Sequence, residues 1–164
     1  MSVTNLAYIH ISETDKGSWA QFGGAILGLM PIERAGFGDN SFLKMDDAPF
    51  RVMVSVADEG KLLATGWDTG SQAGFDAMAA KLEAAGITVT AGDSNGAALR
   101  CVEQYASAKD PAGNPFEIFH TRTSCADCDV PFVSPTGVKK FVTGDMGLGH
   151  VVIPAPNIDE THAF

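Results

Sequence analysis

Residues 147–164 read "GLGHVVIPAPNIDETHAF", and residues 5–22 read "NLAYIHISETDKGSWAQF". Set one beneath the other, they place Leu148 on Leu6, His150 on Tyr8, Ile153 on Ile11 and Phe164 on Phe22. Each opens with a β-forming run and passes into a polar stretch able to start a helix. The chain therefore begins one structural unit at residue 5 and begins it again near residue 147.

Between these two points the unit occurs twice. "LAYIHIS" is a strand, and Thr14 or Asp15 can cap a helix carrying Trp19, Phe22, Ile26 and Leu27 on one side, ended by Gly28. "PIERAGF", "SFLKMD" and "FRVMVSV" follow as strands, parted by "GDN" and "DDAP". The order is β-α-β-β-β. It recurs with the strand "KLLATGW" and a helix over "SQAGFDAMAAKLEAAG". Ser71 can cap that helix, Phe75, Met78, Ala79 and Leu82 line it, and Gly86 stops it. "ITVTA", "RCVEQYASAKD" and "FEIFHT" complete it as strands, the last two joined by the turn "DPAGN". The expectation is an α+β fold of two paired βαβββ modules over residues 1–120. Residues 121–147, with prolines and glycines, form a linker, and 148–164 supply the first strand and helix start of a further module.

The composition sets limits. With 11 basic and 20 acidic residues the net charge is −9, which argues against nucleic acid or an anionic membrane as partner. No apolar run approaches the roughly 20 residues of a membrane span. "MSVTNLAYIHISETDKG" lacks the basic-then-apolar pattern of a secretion signal, so the cytoplasm is the expected location. The three cysteines, Cys101, Cys125 and Cys128, do not make a disulfide framework. "CADC" is a single CxxC in a polar stretch, short of the four ligands of structural zinc, and is expected to hold two reduced thiols.

"DPAGNPFEIFH", "LLATGW" and, most specifically, "PFVSPTGVKKFVTGDMGLGH" carry a resemblance to the vicinal oxygen chelate superfamily. Within it the chain resembles the amino-terminal portion of the type I extradiol dioxygenases, the two-domain group of the 2,3-dihydroxybiphenyl 1,2-dioxygenase kind. The resemblance implies a mononuclear Fe(II), with Mn(II) the alternative, held by two histidines and a carboxylate so that sites stay open for a catechol and O2. It makes His150 the first metal ligand and implies that the remaining ligands and an acid-base histidine follow residue 164. It also implies a homo-oligomer, and a substrate with an aryl or fused-ring substituent. No catalytic residue is then expected within these 164 residues, which alone would be inactive and hold no metal tightly.

The other candidates are weaker. Where the superfamily puts ligands on first and last strands, the first module has Tyr8 and no carboxylate, and the second has Ala64 or Thr65 with Glu117. One carboxylate does not make a divalent-ion site, so Glu117 is expected to be hydrogen-bonded or solvated. His10 is expected to be a satisfied, partly buried histidine, and His120 a surface or interface residue. His162 is expected to face solvent, and Trp19, Phe22 and Phe75 to be core. The apolar strand "GLGHVVIP" is expected to pair with its own domain, to pair with another chain, or to be disordered. The alternative function is a non-catalytic ligand-binding or assembly module of the bleomycin-resistance kind. A glyoxalase-like enzyme sharing ligands across a dimer is disfavoured by the missing first-strand ligands.

Overall fold

The computed structural model describes residues 3–164. The chain forms two compact units. One comprises residues 8–63 and 124–144; the other comprises the amino-terminal residues through Ala7, 64–123 and 145–164. They are called the first and second unit below. No helix among the described residues is long and apolar enough to cross a membrane.

The first unit is built on β1 (Asn5–Glu13), α1 (Lys16–Gln21), β2 (Met30–Ile32), β3 (Asn40–Lys44) and β4 (Val52–Val56), with β1 entering it at Tyr8. Its strands are ordered β2-β3-β4-β1, and β1 and β4, the first and last of the module, run parallel with Ile9 opposite Val52. Because side chains alternate along a strand, Ile9 and Ile11 share one face of β1. They pack there with Leu29, Leu43, Val52, Val54, Trp19 and Phe141. Tyr8, His10 and Ser12 lie on the other face and are also buried. Asp15 caps α1 by accepting from the Gly17 amide at 2.8 Å. The helix then widens into a π turn over Phe22–Ile26. That turn carries Phe22, Ile26 and Leu27 outward, 44 %, 71 % and 41 % exposed, against the expectation that they join Trp19 on a core stripe. Gly23 and Gly24 face inward in their place. A Cβ on Gly23 would lie 2.7 Å from a Leu43 methyl.

The second unit repeats the plan with β5 (Lys61–Asp68, entering at Ala64), α2 (Gln72–Ala84), β6 (Thr90–Ala91), β7 (Val102–Lys109) and β8 (Pro115–Arg122). Its order, β5-β8-β7-β6, again sets first and last strands side by side and parallel, with Thr65 opposite Phe116. Phe75, Met78 and Leu82 of α2 cover Ala106, Phe116 and Ile118. "ITVTA" yields only two strand residues, and an unforeseen helix, α3 (Ser94–Arg100), precedes β7. Ser71 caps α2 through the Gly74 amide at 3.1 Å. A Cβ on Gly74 would sit 2.2 Å from the Thr69 carbonyl oxygen. Alanine ordinarily favours a helix over glycine by about 1 kcal/mol. Gly74→Ala is nevertheless expected to lower the unfolding free energy by about 1–3 kcal/mol, as overpacking does, measured by urea denaturation.

The stretch expected as a further first strand, 148–153, forms no strand. Its neighbour Gly147 makes an isolated parallel bridge with Leu6, and the Leu148 amide donates to the Leu6 carbonyl at 2.9 Å. The helix start is present as α4 (Ile158–Ala163). The tail docks within the second unit, as the self-pairing expectation allowed. Asn114 Nδ2 donates to the Pro154 carbonyl and Asn157 Nδ2 to the Pro111 carbonyl, both at 2.9 Å, and Phe164 tilts against Phe116 at 5.8 Å.

Candidate functional site

His150 stands between the Gly147 bridge and Pro154, exposed to solvent. It makes no side-chain hydrogen bond with the described residues, so both ring nitrogens are open to a ligand. No set of three histidine, cysteine or carboxylate donors gathers around it among the described residues. A divalent transition ion needs more than one imidazole, so these residues fit such a group only as one ligand of a larger set.

Glu117 is 4 % exposed and fully engaged. Arg100 donates to it through Nε at 2.6 Å and Nη2 at 2.5 Å, in the two-pronged geometry that suits guanidinium and carboxylate. The same guanidinium donates through Nη1 to the Gly96 carbonyl at 3.0 Å and lies 4.0 Å from the Tyr105 ring centroid. α3 thus carries a cation to the one buried carboxylate that the last strand of the module offers. The chemistry of the pair is structural: its charge is compensated and both oxygens are occupied.

Tyr8, matched to His150 in the first module, is fully buried against Phe50 at 5.5 Å. His10 is buried, its Nε2 sharing a 2.8 Å hydrogen bond with Ser55 Oγ, which donates to Asn40 Oδ1 at 2.5 Å. That chain aims the Ser55 hydroxyl hydrogen at Asn40, away from His10, so His10 does not activate it as a nucleophile. His120, expected to be a surface or interface residue, is instead buried within its unit at 3 % exposed. It lies edge-on to Phe75, with Nδ1 2.9 Å from Thr121 Oγ1 and Nε2 without a partner. The reason is the strand period: His120 lies two residues from Ile118, on the face that α2 covers. His162 is exposed in the last turn of α4. Thr65 is buried and accepts from the Trp67 indole at 2.9 Å.

The expected reduced thiols are joined instead, Cys125 to Cys128, within the first unit. The turn is tightened by amides of Cys128 and Asp129 donating to the Cys125 carbonyl at 2.8 Å. Lys44, fully buried, donates through Nζ to the Cys128 carbonyl at 2.5 Å.

An ion pair in this unit, Arg51 with Asp46 at 2.6 Å, leaves both side chains less than one-fifth exposed. Burial raises the Asp46 pKa, but hydrogen bonds from Arg51 and Thr143, the Arg51 charge and the Ala48 amide outweigh it, holding the carboxyl below its ordinary 3.8. A carboxyl depressed in the folded state contributes stability above the unfolded value and loses it as pH falls through the folded one. Unfolding free energy is therefore expected to fall on acidification below about pH 4. Asp46→Asn is expected to remove that part of the slope, read from urea unfolding at each pH.

Residues 6–56 match the family model described as "Dihydroxybiphenyl dioxygenase BphC D1". The chain is 36% identical over 165 residues to the iron-dependent extradiol dioxygenase of Rhodococcus jostii (strain RHA1), covering 100% of this chain and 53% of that protein. It is 34% identical to the biphenyl-2,3-diol 1,2-dioxygenase of Sphingomonas paucimobilis, covering 100% and 54%. A crystal structure of catechol 2,3-dioxygenase superposes with a TM-score of 0.91 at 30% identity, covering 100% of this chain and 57% of that one. The chain spans about half the length of the curated relatives it matches. The α+β fold of paired βαβββ modules is the fold of these neighbours.

Proposed function

We propose, from the premise that this chain belongs with the amino-terminal half of the extradiol dioxygenases, that the whole protein opens a catecholic ring beside its diol, using O2. The observation that carries this reading is the likeness, 36% over 165 residues and 100% of this chain, running through both modules and on through the tail that bears His150. Residues 1–120 serve as a non-catalytic domain, 121–147 as the connection, and 148–164 as the start of the catalytic domain. His150 is one ligand of a metal, and its exposed, unengaged imidazole supports that assignment. Iron is favoured because a relative of this identity is named iron-dependent; manganese is the alternative. When bound, such a metal supplies the positive charge that favours the deprotonated catechol.

What these residues contribute is placement. The bridge of Gly147 to Leu6 and the two asparagine contacts at Pro154 and Pro111 fasten the backbone on both sides of His150. An aryl-substituted or bicyclic catechol is the substrate class, and aromatic-compound breakdown the setting. Assembly of several copies belongs to the same proposal, and the exposed Phe22, Ile26 and Leu27 support it.

The test is the complete protein charged anaerobically with ferrous ion and given 2,3-dihydroxybiphenyl. The expected result is O2 uptake equal to the catechol consumed, none after chelation, and none from residues 1–164 alone. Absence of uptake with both ferrous and manganous ion overturns the reading.

A further inference from the structure

Within the second unit lies a cavity of about 590 Å³ that the ring-cleavage reading does not use. Its size falls within the roughly 300–1,000 Å³ of small-molecule sites. Its floor is the α2-facing side of β5 and β8, and its sides are the last turns of α2 and the docked tail. Three aromatic rings line it, Trp67, Phe116 and Phe164, with the adaptable thioether of Met78. Two of these rings already stand tilted to each other, at 5.8 Å and 54°.

A buried hydroxyl is built into this largely apolar wall, which also holds Lys81, Asp110 and Asn114. Thr65 lines the cavity, is 3 % exposed, and accepts the Trp67 indole hydrogen at 2.9 Å. No described acceptor takes the Thr65 hydroxyl hydrogen in return. A buried hydroxyl with an unclaimed hydrogen, set among aromatic rings, asks for an acceptor on a flat apolar molecule. The one carboxylate among the lining residues is held in its own turn: Asp110 accepts from the Asn114 amide at 2.7 Å and side chain at 2.9 Å.

We propose that this cavity binds a planar aromatic molecule of one or two rings carrying a hydroxyl, without any metal. The rings stack among Trp67, Phe116 and Phe164, and the ligand's hydroxyl oxygen accepts from Thr65. Val151 and Ile153 form part of the wall, so an occupied cavity also firms the segment next to His150. The binding itself is independent of the ring-cleavage proposal.

The probe is 2-naphthol, titrated into the metal-free protein while the Trp67 indole N–H is followed by proton–nitrogen NMR. A saturable shift centred on Trp67 and the α2 end is expected. Thr65→Val keeps the shape and removes the donor, and is expected to weaken binding about three- to ten-fold, the loss of one hydrogen bond. Ala85→Phe fills the cavity from an exposed helix end, where the fold has room for it, and is expected to weaken binding more than ten-fold with unfolding unchanged. A shift that never saturates, or an affinity unaltered in Ala85→Phe, overturns the proposal. So does a response centred on the exposed Phe22, Ile26 and Leu27 instead.

Discussion

Replacing Arg100 with methionine is expected to lower the unfolding free energy by about 3–5 kcal/mol, the usual cost of removing one partner of a buried ion pair. Both side chains are under one-tenth exposed, so Glu117 cannot turn to water when the guanidinium goes. The carboxylate would keep its desolvation penalty and lose both of its Arg100 hydrogen bonds. The ring contact with Tyr105 and the tie to the Gly96 carbonyl would go as well. The double replacement Arg100→Met with Glu117→Leu separates the causes. If the cost comes from the stranded charge, the double variant recovers most of it, because apolar groups of similar volume replace such pairs with little loss. If urea denaturation gives a single-variant cost under about 1 kcal/mol, the range of exposed pairs, the pair is not what locks α3 to β8.

The second large effect concerns His150. In the complete protein, His150→Ala is expected to lower ring cleavage by more than about 100-fold, with matching loss of bound metal. Even outer-shell groups of metal sites are worth about 10–100-fold, and a direct ligand exceeds them. Because the imidazole is exposed and hydrogen-bonded to none of the described residues, the substitution should leave stability within about 0.5 kcal/mol. His162→Ala, four residues into α4, is the control and should alter neither quantity. O2 uptake and metal content are measured together on the same samples. Full activity with full metal in His150→Ala would remove His150 from the ligand set.

The two modules were legible because their punctuation is local. Asp15, Ser71 and the turn from Asp110 to Asn114 do in space what their residue types suggest in sequence. α3 was hidden for the same reason. Its start, "GDSNG", is made of turn-formers, and those residues also cap helices; Asp93 accepts from the Gly96 amide at 2.6 Å. The glycines there answer a distant partner: a Cβ on Gly92 or Gly96 would fall 2.0 or 2.1 Å from Tyr105. The outward turn of Phe22, Ile26 and Leu27 was hidden because a 3.6-residue period cannot foresee a π turn. At the site, Tyr8 and Glu117 could be weighed one by one. Nothing local, however, announces that Arg100, seventeen residues earlier, meets Glu117. His150 is a proposed ligand on family likeness alone, since the described residues bring it no companions.

The bond from Lys44 to the Cys128 carbonyl joins residues 84 apart in the chain. On a ribosome adding about 5–20 residues per second, roughly 4–17 seconds separate the two. The strands of the first unit emerge early, but the segment 124–144 that completes it is made only after every strand of the second. The carbonyl that accepts from Lys44 is thus made only after another module has been synthesised. The first unit can therefore be completed only after every strand of the second has been made, and only once residue 144 has left the exit tunnel.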